Sequence, residues 1–261
     1  MPISKGEVIS SLIEWEKLGK PKRPEHWVDG RSAKEAARAW LSGGEDLPAE
    51  VAELLASHPA FGEVLNWDAE PEARLRFDEC PGEPRNSDLV VHATDAKGAY
   101  VVAVEAKADE PFGELVPAAL AAAVDARLKN PQSNAVTRIE QLCEALLGSS
   151  AEGDVPLDCI RYQLLTACAG AIAEGEEKGC GRTLLLIHEF HTWKTTETKI
   201  AQNAMDLDRF LSRLTHGAVR ALAAGQIVGP LVVPGAPLFT GATKFYVGKA
   251  TRIVAESVVT V

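Results

Sequence analysis

Asp88-Leu89-Val90-Val91-His92-Ala93-Thr94-Asp95-Ala96-Lys97-Gly98-Ala99-Tyr100-Val101-Val102-Ala103-Val104-Glu105-Ala106-Lys107 is two apolar runs around a short polar turn. Short runs rich in valine, bounded by turn residues, read as the two strands of a hairpin. Thr94 to Ala99 spans the turn as a four-residue loop, with Gly98 free to adopt left-handed backbone. If Thr94 faces Ala99, counting back along both strands brings Asp88 opposite Glu105. Their Cβ atoms would then lie about 4.5–5.5 Å apart. A three-residue loop with a bulge at Gly98 would break that register. Alternation sends Glu105 and Lys107 to one face and Ala106 to the other. Charged groups at the end of a buried strand are costly unless they are paired or used. Two carboxylates so close repel, and a cation between them resolves the conflict.

Working outward, the chain has 261 residues, with 46% hydrophobic and 25% charged. That is the composition of an ordinary globular protein with one sizeable core. One domain over 1–261 is expected, with a helical N-terminal region to about 60 and the chemistry-bearing core from about 61. No apolar run approaches the roughly 18 residues of a spanning helix, and Met1 to Glu7 lacks the apolar core of a signal peptide. The five cysteines, 80, 143, 159, 168 and 180, form no CxxC pair. A reduced, cytoplasmic chain without membrane association or structural zinc is expected. The net charge of −10 argues against a protein that coats nucleic acid, though not against an enzyme with a local basic groove. Lys17, Lys20, Lys22, Arg23, Arg31, Lys34 and Arg38 cluster near the N-terminus, and Lys244, Lys249 and Arg252 near the C-terminus. Ordinary solvated charges are the plainer reading of both clusters.

Periodicity predicts helices over 5–18, with Val8, Ile9, Leu12 and Ile13 on one side, over 32–41 with Ser32 as N-cap, and from Pro48 to Ser57. Ala73 to Phe77 alternates as a strand ahead of the hairpin. Residues 116–178 read as helices broken at Asn130-Pro131 and in the Gly148 to Pro156 loop. Thr183 to Ile187 reads as a central strand buried on both faces. A helix over 195–214 and strands over 227–233 and 244–254 follow. The expected fold is an α/β layered domain, a mixed central sheet flanked by helices on both faces.

Two carboxylates holding a hard divalent cation, with an ammonium beside them, suit phosphodiester hydrolysis. Lys107 would orient the attacking water or stabilise developing charge. An all-oxygen site favours magnesium, or manganese in its place, over zinc. Asp88, a hairpin, then Glu105-Ala106-Lys107 resembles the PD-(D/E)XK, restriction-endonuclease-like nuclease superfamily. The neighbouring text resembles an uncharacterised bacterial family, a domain of unknown function related to such proteins. The residues that carry this are Asn86-Ser87-Asp88-Leu89, Val104 to Lys107, Glu110-Pro111-Phe112-Gly113, Arg161-Tyr162-Gln163-Leu164-Leu165 and Ile187-His188-Glu189-Phe190. His26-Trp27, Gly30-Arg31-Ser32-Ala33 and Trp40 also fit it, so that the likeness covers roughly 25–250 and is strongest over 86–190.

The resemblance implies a restriction-endonuclease-like core, a magnesium-dependent nuclease acting on DNA ahead of RNA, and often a homodimer. It makes Asp88 and Glu105 metal ligands, adds the Ala106 carbonyl, and assigns Lys107 as the catalytic lysine. It also brings Gln163, at the start of the helix before the buried strand, within reach of the site. Ser87 stands where the superfamily usually has proline. Many members carry a further acid on the first core helix. Glu35 and Glu53 both lie opposite their apolar faces and read as solvated, and Glu72 stands just before the first core strand. Glu110 is a candidate to support Lys107 from the following loop. His188 and His191 do not form an HExxH pair, and strand alternation sends them to opposite faces. The sequence has no P-loop, GxGxxG or GxSxG, and its five tryptophans read as packing residues. The competing reading is a nuclease fold that binds without turnover. A metal hydrolase of small phosphorylated molecules is a third.

Overall fold

The computed structural model describes residues 1–4, 6–19, 21 and 24–255. Three of the sequence's clustered cations, Lys20, Lys22 and Arg23, lie outside the described residues. The chain opens with β1 (Ile3–Ser4) and β2 (Glu7–Val8), an antiparallel pair turned at Gly6, whose φ is 80°. Helix α1 is therefore confined to Leu12–Leu18, with the Ser11 hydroxyl accepting from the Glu14 N–H as its cap. The expected 5–18 helix and its apolar face do not form. Ile13 is 80% exposed, and Trp15 is buried instead.

Helix α2 (Ser32–Ser42) and α3 (Ala49–Ala56) follow. Ser32 is not the cap of α2, because its hydroxyl donates to Glu110 across the fold. Strands β3 (Asn66–Leu75), β4 (Arg85–Asp95) and β5 (Gly98–Lys107) form an antiparallel meander. Strand β3 starts well before the predicted 73–77 segment. It lies at an edge of the sheet, where Pro71 removes no needed donor. Helices α4 (Val116–Lys129), α5 (Ala135–Leu147) and α6 (Tyr162–Glu177) then cross to β6 (Arg182–His191). Helix α7 (Glu197–Leu214), capped by the Thr196 side chain, leads to β7 (Gln226–Leu231) and β8 (Lys244–Ile253).

The main sheet has the order β3-β4-β5-β6-β8-β7. Pairs β5–β6 and β6–β8 are parallel and the others antiparallel. The sheet is thus mixed, with helices on both faces. Val101, Ala103, Leu185, Ile187 and Val247 point into one core with α4 to α7. Val102, Val104, Leu184, Leu186 and Tyr246 point into a second core with α2, α3 and Trp15 of α1. Full burial of one such aliphatic side chain contributes about 1.5–3 kcal/mol. Strand β6 is buried on both faces, as its unbroken apolar run implies.

The β4–β5 register is the expected one, with Thr94 opposite Ala99. The hairpin is tighter than expected, because Asp95 also pairs with Gly98 and leaves only Ala96-Lys97 as the loop. Asp95 is held there by Arg182, which donates to both carboxylate oxygens at 2.8 and 2.7 Å. That fork ties the hairpin turn to the start of β6 and fixes which residues of β5 and β6 lie side by side.

Candidate functional site

The β4–β5 ladder ends at Leu89 and Val104. Ser87 Oγ donates to the Val104 carbonyl at 3.2 Å, and beyond it the strands carry polar groups. Asp88 follows the register to the end of the hairpin, where its Oδ2 accepts from the Ala106 N–H at 2.7 Å. Glu105, 2% exposed, receives three side-chain donors. Lys107 Nζ lies 2.7 Å and Gln163 Nε2 2.6 Å from Oε1, and Arg85 Nη2 bonds Oε2. Gln163 stands in the first turn of α6, so the helix that packs over β5 delivers it. Asp88, Glu105, Lys107 and Gln163 thus form one cluster. Ala106 joins it through its N–H while its side chain lies in the opposite core.

Charge is not balanced within the cluster. Burial, and then the charge of Glu105, pushes the Asp88 carboxyl up to about 7. For Glu105, burial acts in the same direction, but Lys107 and Arg85 override it and hold the carboxyl below its usual range. Burial pulls Lys107 down, and the carboxylates of Glu105, Asp88 and Glu110 more than offset this, so the ammonium is kept. The Phe112 ring covers it, with Nζ 5.2 Å from the ring centroid.

Glu72 adds to the negative side. It is a β3 residue, not one preceding the strand, and takes φ of 51° between the pairs Pro71–Leu89 and Ala73–Ser87. Its Oε2 accepts from Asn86 at 3.2 Å, and its charge contributes to raising Asp88. Among the described residues, no three His, Cys, Asp or Glu side chains already converge as a metal cage.

The other candidates go elsewhere. Glu35 is buried, contrary to the solvated reading, and accepts from Gly30 N–H at 2.7 Å and Arg38 at 2.6 Å. Glu53 is exposed. Glu110 bonds Ser32 and the Asp109 N–H, so it pins α2 to the loop after β5. The clustered cations are largely consumed in ion pairs. Arg31 meets Asp109, Lys34 and Arg38 meet Asp29, Lys249 meets Glu189 and Arg252 meets Glu50. A cleft of about 740 Å³ lies between α4, α5 and the Cys80–Gly82 turn, with Tyr162 in its wall.

Sequence reasoning missed Arg85. Alternation counted back from Asp88 sends Arg85 to the other face, but it lies beyond the end of the β4–β5 ladder and reaches Glu105. It also missed a second polar cluster on the opposite face of β6. There His188 Nδ1 accepts from Trp40 Nε1 at 3.3 Å, which leaves the proton on Nε2 to donate to Glu50 at 2.8 Å. Arg252 completes that cluster with bonds of 2.7 and 2.9 Å to the two Glu50 oxygens. His188 and His191 do face opposite ways, and His191 lies with Glu189 at 3.6 Å.

Residues 8–245 match the domain of unknown function DUF6946, and the chain belongs to that family. No curated protein matches it. No solved structure matches it.

Proposed function

We propose that this protein is a metal-dependent phosphodiesterase of restriction-endonuclease-like, PD-(D/E)XK type, acting on nucleic acid and on DNA ahead of RNA. The observation that carries this reading is the meeting of Asp88, Glu105 and Lys107 at the end of one hairpin, with Gln163 brought in by α6. The donor set fits a divalent ion. Asp88 is a carboxyl whose charge is opposed by burial and by Glu105, which is the environment a cation relieves. Magnesium commonly takes only one or two carboxylates and keeps its waters, so a preformed cage is not required. Asp88, Glu105 and the Ala106 carbonyl would hold magnesium, or manganese in its place. The ion would supply charge stabilisation and lower the pKa of a water. Lys107, kept protonated by its carboxylate neighbours, donates hydrogen bonds to an anionic phosphoryl oxygen. Gln163 fixes the orientation of Glu105 through Oε1.

A second reading, a nuclease-fold binding protein without turnover, is favoured by one observation. Both oxygens of Glu105 are already engaged by protein donors. Nicking of supercoiled plasmid and cleavage of single-stranded DNA with magnesium or manganese separates the two. The enzymatic reading expects Asp88→Ala, Glu105→Ala and Lys107→Ala each to lose about 100-fold or more. Full activity in all three variants would sink the site. No metal-dependent cleavage, together with no calorimetric metal binding that needs Asp88 and Glu105, would favour the binding protein.

A further inference from the structure

Arg85 is the one site residue whose arrangement is neither needed by the hairpin nor explained by hydrolysis. Its side chain is 8% exposed, with one Nη on Glu105 Oε2 and the other donating to the Asn86 carbonyl at 2.7 Å. Its Nε is buried with no hydrogen-bond partner among the described residues. A buried guanidinium donor without an acceptor costs free energy, so this pose is an incomplete solution for arginine. It is also an incomplete solution for the acids. Glu105 is hydrogen-bonded by Arg85 and Lys107, while Asp88 has one backbone N–H, and the nearby charge of Lys107 only partly offsets its burial and the adverse charge of Glu105. Both cations therefore direct their hydrogen bonds to Glu105.

We propose that Arg85 is an internal counter-cation that occupies the Glu105 oxygen a divalent ion needs, and that ion binding displaces it. This inference rests on the metal-dependent reading above and deepens it. A divalent ion shared by Asp88 and Glu105 neutralises the acid Arg85 leaves unattended and competes for Oε2. The freed guanidinium keeps its planar fork of donors, which matches the paired oxygens of a phosphodiester. Arg85 then serves as a substrate-positioning residue only once the ion is in place. The metal-free protein thus keeps its strongest phosphate donor folded inward.

Manganese titration calorimetry on the full-length wild type and on Arg85→Gln tests the displacement. Removing the competing cation is expected to tighten manganese binding by about tenfold or more. Equal or weaker binding by Arg85→Gln, with both proteins binding, would overturn the inference and leave the metal site standing. No binding by either would overturn both. A measurement on the wild type alone guards against a variant that fails to fold. With arginine side chains labelled, saturating magnesium is expected to move the Arg85 Nε–H signal and speed its exchange with water. A signal unmoved while calorimetry records binding would overturn the displacement.

Discussion

Strand β6 and its neighbours carry buried polar groups on both faces, and the two sets are finished to different degrees. On the α2–α3 side, His188, Glu50, Trp40 and Arg252 satisfy one another, and even the histidine tautomer is settled by its partners. On the α6 side, Glu105 is oversupplied with donors while Asp88 has one and Arg85 Nε has none. A closed network rigidifies the fold and asks for nothing more. An open one, with a carboxyl displaced to about 7, is the arrangement expected where something else must bind. Polar groups packed on both faces of one sheet therefore need not share one purpose.

The sharpest way to break this contrast is to cut the closed network. His188→Leu leaves Glu50 and the Trp40 N–H without their buried partner. It is expected to cost about 2–4 kcal/mol in urea unfolding, with no direct effect on metal affinity. A loss under 0.5 kcal/mol on the same order-of-magnitude scale would show that this network is not structural. The open network predicts the opposite sign. Asp88→Asn removes a half-buried, poorly compensated charge, so the metal-free protein is expected to gain about 1 kcal/mol while losing metal binding. A destabilised Asp88→Asn protein would mean that the aspartate is already satisfied.

The smallest effect is in pH. Burial opposes ionisation of Glu50, but its bonds to His188 and Arg252 prevail and depress the carboxyl to about 2. A depressed carboxyl contributes stability that is present above its unfolded value and lost as pH falls through about 2. Burial, the leading influence, also lowers His188, whose contribution is likewise lost on acidification. Below about pH 4.5 thermal melts of the wild type should therefore lose the Glu50 contribution, and Glu50→Gln should flatten that part of the slope relative to the wild type. Parallel slopes in the two proteins would contradict the assignment.

Much of this molecule was legible because hairpin physics is local. Once Gly98 marks the turn, the register follows as far as Leu89 opposite Val104 without any knowledge of the rest of the chain, and Asp88 lies one residue past that last pair. The helices over 116–178 and the apolar run of β6 were equally readable from their periods. Three things were not. Strand β3 begins at Asn66 and alternates polar and apolar residues throughout, but Pro71 in its middle argues against a strand, and only its edge position makes that proline tolerable. The start of the chain pairs as β1 and β2, which are too short to leave a period. Arg85 lies past the end of the β4–β5 ladder, where alternation no longer predicts its direction, and Glu50 meets His188 across 138 residues, which no spacing rule reaches.

The second core has a practical consequence. Cutting the chain near residue 61 to isolate the half that carries the hairpin site would strip α2 and α3 from Leu89, Val91, Val102, Val104, Leu184 and Leu186. A bare sheet of that size is a template for aggregation, and Glu50 would leave with the excised piece, stranding His188 in water. Expression trials should accordingly favour residues 1–261 together, and an insoluble fragment would say nothing about the hairpin site.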